Sequence, residues 1–373
     1  IVTSLNEGVL PAGKGEQSFI PFDIKTHFGL PTYHEKDAIF SYHFQRLIQR
    51  AKKVYLLYNS ETDGYGSGEK SRFITQLEIQ NKTIKKSTLS AVVEPISSEI
   101  LEIKKTPEVI EKLKAVFKKG ISPSALATYI YNPIQFYEQR VLGIYEEDEV
   151  EETIAANTMG TVIHEVLELL YKPFEGKFVS KNDILSFSKK IDTHLQIKFK
   201  EFYKKGSIKT GKNKLIYEVC KSNILRFLKQ EKELLSKGNE LKIITLEPPL
   251  ETEIRIEGID FPVKIIGKID RIDELNGVAR IIDYKTGKVE AKDLRTPDFS
   301  IVSDDYKYTK ALQVMLYSLL FTSENTFNFN QQLEAGIISF KNLQSGFLKM
   351  NFSQNPRGKE TTITKEKLNE FKV

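Results

Sequence analysis

Gly267-Lys268-Ile269-Asp270-Arg271-Ile272-Asp273 stands ten residues ahead of Asp283-Tyr284-Lys285-Thr286-Gly287, and both stretches read as strand ends. In a strand, residues two apart share a face, so Asp283 and Lys285 point together and Tyr284 points away. Ile281 and Ile282 precede them, which places the strand in the interior of a sheet. Charges at the end of a buried strand need a compensating partner. Carboxylate oxygens suit Mg²⁺ or Mn²⁺, and Asp270, ending the preceding strand, is placed to share the ion. Such an ion polarises a phosphoryl oxygen and lowers the pKa of a bound water. Lys285 then orients that water or neutralises charge developing on the phosphate. The competing reading is a surface hairpin with a Lys–Asp ion pair. The apolar run before Asp283, the Thr-Gly turn after Lys285 and the second acid weigh against it.

Working outward, strands are expected over about 251–257, 261–270 and 278–285, then a helix over about 305–321 and a strand near 335–341. Upstream, Ser122 caps a helix with Pro123 at its first position, running to about Val141. The acidic stretch from Glu146 to Glu152 reads as a solvated loop. A helix follows over about 158–171, then a lysine-rich helical region over about 181–236, broken near Gly206. Helices, a strand meander, then helix and strand predict an α/β fold with a mixed central sheet flanked by helices.

Residues 1–80 read as a small α/β segment, with a helix from Asp37 to Lys53 and a short buried strand at Val54–Tyr58. The run from Asp63 to Gly68 reads as a loop. Residues 81–119 read as a lysine-rich linker with one short helix from Pro107 to Lys119, and residues 120–373 as the main domain.

Two further groups suit the same site. His164 and Glu168 lie i,i+4 on one helical face, with Gly160 one turn earlier to let the helix approach a strand or a phosphate. Taken alone, His164 reads equally as an ordinary core or surface histidine. Gln313 and Tyr317 are also i,i+4, inside an apolar helix; they suit a nucleic-acid contact or a packed helix with one buried amide.

Together these motifs resemble one known family. G-T-x-x-H with His164, G-K-I-D-R-I-D with Asp270, I-I-D-Y-K-T-G with Asp283 and Lys285, and Q-x-x-x-Y with Gln313 and Tyr317 look like the PD-(D/E)XK nucleases of the RecB and AddB type, in order and spacing. The resemblance runs from about 120 to 345 and implies a restriction-endonuclease-like core. It implies that His164, Asp270, Asp283 and the main-chain carbonyl of Tyr284 bind the metal, with Asp270, Asp283 and Lys285 catalytic. It also implies that Gln313 and Tyr317, with Gly160 close by, help hold DNA, as single strands or duplex ends. Domains of this type often carry four cysteines for an iron–sulfur cluster, one of them where Asn132 stands here. Cys220 is the single cysteine, so no cluster and no internal disulfide is expected.

The first 80 residues are similar to the end of a superfamily 1 helicase domain: Ser4–Pro11 looks like its motif V region and Arg50–Tyr58 like motif VI. Arg50 falls where those helicases place an arginine that reaches the nucleotide γ-phosphate; as a plain residue it reads equally as a helix-end charge. Gly64–Ser71 mimics a phosphate-binding loop but has Glu69 where its second glycine belongs, so no ATP hydrolysis is expected of this segment. The resemblance thus implies the nuclease part of a helicase-nuclease, with a partner subunit, processing DNA ends. A silent DNA-binding scaffold and a freestanding nuclease acting on RNA or CRISPR-type substrates are the alternatives.

Bulk properties agree without deciding. The 373 residues are 40% apolar, enough for a sizeable core and for two domains or one elaborated domain. The net charge of +5 permits a polyanion partner but does not argue for one. No apolar run approaches the roughly 20 residues of a membrane span, and a reducing, cytoplasmic setting fits the lone cysteine. The chain opens Ile1-Val2 without methionine, as expected for a fragment of something longer. Residues 186–229 hold eleven lysines and Arg226 against Asp192, Glu201 and Glu218. That reads as a solvated helix face or a phosphate-tracking surface, with Phe199, Phe202 and Tyr203 either stacking bases or forming the helix's buried stripe.

Overall fold

The computed structural model describes residues 1–12, 20–61, 68–80, 83–90, 102–145, 153–203, 207–296, 298–324, 327–355 and 358–372. The chain divides into two compact units, Ile1–Ile100 and Leu101–Val373. The loop expected at 146–152 and the break expected at Gly206 lie outside the described residues, as does most of the Asp63–Gly68 run.

The first unit holds helices α1 (Phe22–His27), α2 (Tyr33–Ile48) and α3 (Arg72–Gln80). Leu5, Phe44, Phe73 and Ile74 form its small core. Arg72 ties the unit together through Glu7 and, at 3.0 Å, Asp37. The strand expected at Val54–Tyr58 is absent: Leu56 makes an isolated bridge with Val2, and Val54, Tyr55, Leu57 and Tyr58 are exposed. Five apolar residues form a buried strand only where a sheet exists to bury them, and here none does.

The second unit begins with α4 (Pro107–Lys119), α5 (Pro123–Tyr131) and α6 (Pro133–Phe136). The helix α4, expected within a linker, packs on strand β4 (Val263–Lys268), and Leu113 and Phe117 join the core. Ser122 caps α5 as expected, its Oγ accepting from the Ala125 N–H at 3.2 Å. The helix stops earlier than expected because Asn132 turns extended and Pro133, lacking an N–H, restarts the chain as α6 and a π-helical turn over Tyr137–Leu142. Next come α7 (Ala156–Tyr171), β1 (Phe178–Val179), α8 (Lys181–Phe202) and α9 (Gly211–Ser236). The α8 start carries a reciprocal capping box between Ser180 and Asp183.

Strands β2 (Leu241–Leu246), β3 (Pro249–Ile254), β4, β5 (Arg271–Leu275) and β6 (Val278–Lys285) follow, then α10 (Thr309–Glu324), β7 (Leu333–Ser339), β8 (Phe347–Lys349) and α11 (Lys365–Phe371). The main sheet runs β1-β2-β5-β6-β7-β8, with β6 and β7 parallel and the other pairs antiparallel. β3 and β4 form a separate two-stranded ribbon. The sheet is mixed and lies between two helical layers. Ile272, Ile281 and Ile337 face α10 and the ribbon; Leu241, Ile243, Ile282, Tyr284 and Ile338 face α7, α8 and α9.

The expected strand 261–270 is two strands with a break at Ile269–Asp270, so Asp270 sits at the corner where the chain leaves the ribbon for the sheet. Asn276 and Gly277 then close β5 onto β6 as a two-residue hairpin, both at positive φ (51° and 83°). Gly267 allows α10 to cross the ribbon closely: a Cβ there would stand 2.6 Å from Leu320 Cδ1 and 3.2 Å from Tyr317 Cε1. Gly267→Ala is therefore expected to cost about 1–3 kcal/mol through overpacking, read as a lowered urea midpoint. An unchanged midpoint would show that the crossing is not tight.

Candidate active site

The sheet delivers its acids to one end. Ile281 and Asp283 alternate onto the α10 face of β6, and the Asp283 carboxylate is buried there. Lys285 Nζ stands 3.0 Å from Asp283 Oδ2 and 3.3 Å from Oδ1. From α10, Gln313 Nε2 donates to Asp283 Oδ1 at 3.1 Å and to the Tyr317 hydroxyl at 2.9 Å. Tyr317 is buried beneath Gln313, so it fixes the amide's direction. Asp283 Oδ2 is buried with no aligned hydrogen bond; Lys285 is close but off axis. Burial pushes the Asp283 carboxyl up to about 6, with Lys285 opposing and the Asp270 charge adding to the rise.

Asp270, at its corner, is oriented from two sides. Its Oδ2 accepts the Tyr284 backbone N–H at 2.6 Å, and its Oδ1 lies 3.2 Å from His164 Nδ1 on α7. The His164 ring meets the Tyr284 ring edge-on at 5.9 Å. Gly160, one turn before His164, would place a Cβ 3.4 Å from Thr286 Oγ1, so its smallness lets α7 close on the turn after Lys285. Glu168 is not part of this site: it faces Lys172 at 3.7 Å.

One site residue was not anticipated. Glu247, just past β2, offers an oxygen that lies with His164 and Asp270 inside a span of 4.8 Å, a grouping able to hold a metal ion. Its backbone N–H donates to the Asp270 carbonyl at 3.3 Å, and its carboxylate pairs with Lys268 at 2.6 Å. Burial raises the Glu247 pKa, opposed by Lys268 and reinforced by Asp270. Burial lowers the His164 pKa, but the Asp270, Asp283 and Glu247 carboxylates outweigh it and the net shift is upward. Carboxylates crowded around an imidazole, one of them desolvated and short of a donor, are a donor set that a hard divalent cation fits.

The stacking candidates on α8 are resolved in favour of structure. Phe199 and Tyr203 are in the core with α7 and α9, and Phe202 alone is exposed. Lys198 is held by Glu165 at 2.8 Å and Lys221 by Asp192 at 2.6 Å.

A mixed sheet between helical layers, with D-x-K and a second acid at one strand end, defines the class as a nuclease. The model of the PD-(D/E)XK nuclease superfamily matches residues 120–371, and the chain belongs to that superfamily. Members use divalent metals, in keeping with the acidic and imidazole grouping. Among curated relatives, an uncharacterized protein of Rickettsia conorii is 29% identical over 178 residues, 47% of this chain and 20% of the relative. An ATP-dependent helicase/deoxyribonuclease component from Streptococcus agalactiae serotype Ia is 26% identical over 172 residues, 44% of this chain and 14% of the relative. A protein of the same name from Clostridium tetani is 27% identical over 221 residues, 54% of this chain and 17% of the relative. The matches thus span a fifth or less of these relatives. No described helix is long and apolar enough to cross a membrane.

Proposed function

We propose that the chain hydrolyses DNA phosphodiesters with Mg²⁺ or Mn²⁺, as the nuclease portion of a helicase-nuclease that processes DNA ends in repair or recombination. The observation that carries this reading is the buried Asp283 at the end of β6, held between Lys285 and Gln313 with one oxygen lacking an aligned donor. Beside it stands the His164–Glu247–Asp270 grouping. His164, Asp270, Asp283 and the Tyr284 main-chain carbonyl would hold the ion, and Glu247 adds a carboxylate at the same corner. The bound ion supplies Lewis-acid polarisation of the phosphoryl oxygen and a more acidic water. Lys285, a third exposed beside Asp283, directs its ammonium at the phosphate or the attacking water. Gln313 orients Asp283 and, with Tyr317 fixing it and Gly160 opening the approach, lines the DNA path.

Relatives named as components of an ATP-dependent helicase/deoxyribonuclease support the DNA substrate and a partner chain. The first unit, by its resemblance to a helicase end, is proposed as the tail of a motor domain, and the setting as cytoplasmic. A silent scaffold has no need of two acids, a lysine and an imidazole at one strand end.

Lys285→Ala is expected to slow cleavage of single-stranded DNA by about 10²–10³-fold, the scale of removing one transition-state charge partner, with the circular-dichroism melt unchanged. Asp270→Ala should remove the heat of Mn²⁺ binding in calorimetry. Cleavage that survives both substitutions would sink the assignment.

A further inference from the structure

With Phe199 and Tyr203 buried, exposed stacking surface is found elsewhere on the second unit. Tyr131 ends α5 and Tyr306 opens the 3₁₀ turn Tyr306–Tyr308 ahead of α10. They are 66% and 53% exposed, yet their ring centroids lie 4.9 Å apart with planes tilted by 56°. Both positions are set by side-chain caps. Asn132 Oδ1 accepts from the Ile134 and Gln135 N–H groups and ends α5 at Tyr131; Asp305 Oδ1 accepts the Lys307 N–H at 2.9 Å and starts the turn at Tyr306. The rings therefore stand on fixed element ends.

Both tyrosines line a groove of about 710 Å³ that also takes in Lys285 and Gln313. Lys307 and Lys310 line it as well. Lys307 faces Asp305 at 2.8 Å and Lys310 faces Asp293 at 3.5 Å, with the two ammonium groups 64% and 36% exposed. Solvated pairs of this kind contribute little, so a phosphate can take the carboxylate's place. The groove thus joins the lysine of the D-x-K motif, two further cations and an open aromatic pair.

We propose that this groove is the track for a single strand of nucleic acid running from the cleavage site, with an unpaired base stacked on the Tyr131–Tyr306 pair and backbone phosphates on Lys307 and Lys310. The assignment of its inner end rests on the nuclease reading of Lys285. The chemistry selects single strands: a base inside a duplex has both faces covered by its neighbours, whereas an unpaired base offers a face to an aromatic ring.

Fluorescence anisotropy with a short labelled oligothymidine, metal chelated so that nothing is cut, tests the track. Tyr131→Ala with Tyr306→Ala should weaken binding by about tenfold or more, the scale of one lost stacked base. Tyr131→Phe with Tyr306→Phe should stay within about twofold of wild type, since the ring faces remain. Affinity for a blunt duplex should be unchanged in both. Unchanged oligothymidine affinity in the alanine pair, an equal loss on duplex, or an equal loss in the phenylalanine pair each overturns the proposal. Lys307→Gln with Lys310→Gln gives an independent arm: the log–log salt slope should flatten by about 1.4, at about 0.7 per lost single-strand phosphate contact. An unchanged slope overturns the phosphate path. A wild-type protein that binds through the tyrosines but never cuts sinks the nuclease reading and leaves the track standing.

Discussion

Asp283→Asn should melt above wild type when metal is absent and should cleave nothing. The carboxyl is buried and its pKa is raised from 3.8 to about 6, chiefly by burial. The sign follows directly. A folded-state pKa above the unfolded value means the folded protein holds the proton more tightly, so stability falls as pH rises through that interval. At pH 7 the full penalty is present, about 3 kcal/mol from a shift of that size. An amide carries no charge to desolvate and still accepts from Gln313. Lys285 loses its partner, but its side chain is a third exposed and water can solvate it. A net gain of about 1–3 kcal/mol, a few degrees in a unit of this size, is the expected outcome. Mn²⁺ at about a hundred times its Kd should stabilise wild type by about 2.7 kcal/mol, and the variant should lose that response. The order of melting temperatures should therefore invert when metal is added. A metal-free variant that melts below wild type would refute the account of Asp283 as a strained, cation-seeking carboxylate. So would cleavage retained at the wild-type rate.

That inversion rests on a residue the sequence makes conspicuous. Two isoleucines followed by D-x-K announce charge at a buried strand end, and the order of His164, Asp270, Asp283 and Gln313 survives in space because α7, the β4–β5 corner, β6 and α10 all converge there. Glu247 was not legible. It stands alone between Leu246 and a Pro-Pro pair, with no periodic partner, and reaches Asp270 only because β2 pairs with β5. A usable signal existed: the alternation of Leu241, Ile243 and Thr245 marks a strand that ends where the acid begins. The β5–β6 hairpin was likewise announced by Asn276-Gly277; without it, Asp270 reads as part of a strand that in fact stops before it. Tyr131 and Tyr306 were silent for another reason. Their ring contact joins α5 to the start of α10, far apart in sequence, and no local pattern records it. Phe199 and Tyr203, in contrast, share a spacing that fits a buried stripe as well as an exposed one. Only α7 and α9 packing against α8 decides between them.

The same dependence on distant partners underlies the second large effect, expected of Arg271→Met. Arg271 is fully buried on the face of β5 opposite Ile272. Its guanidinium lies 2.9 Å from Glu231 of α9, 2.7 Å from Asp273, 3.2 Å from the Tyr284 hydroxyl and 4.7 Å from the Tyr171 ring centre. Arg280 grips Asp273 through bonds of 2.7 and 2.8 Å, and the Tyr171 hydroxyl donates to Glu231. Two guanidinium groups thus face two carboxylates, and the set is neutral. Burial raises the Asp273 pKa, but Arg280 and Arg271 outweigh it and hold the acid ionised. Methionine restores the volume and removes one cation, which leaves an excess anion in the interior. Breaking a buried pair in this way costs about 3–5 kcal/mol, so the variant should melt roughly 6–20 °C lower at the usual 2–4 °C per kcal/mol. Adding Glu231→Gln removes the stranded charge and should recover part of the loss; a double variant no more stable than Arg271→Met would refute the charge account. The effect should also reach the site. Tyr284 presents its side chain to Arg271 and its backbone N–H to Asp270, so releasing the phenol loosens the strand that orients the acid. Well below its melting temperature, Arg271→Met should bind Mn²⁺ about 10–100-fold more weakly, the usual range for losing an outer-shell partner. Unaltered Mn²⁺ affinity in the folded variant would confine Arg271 to stability alone.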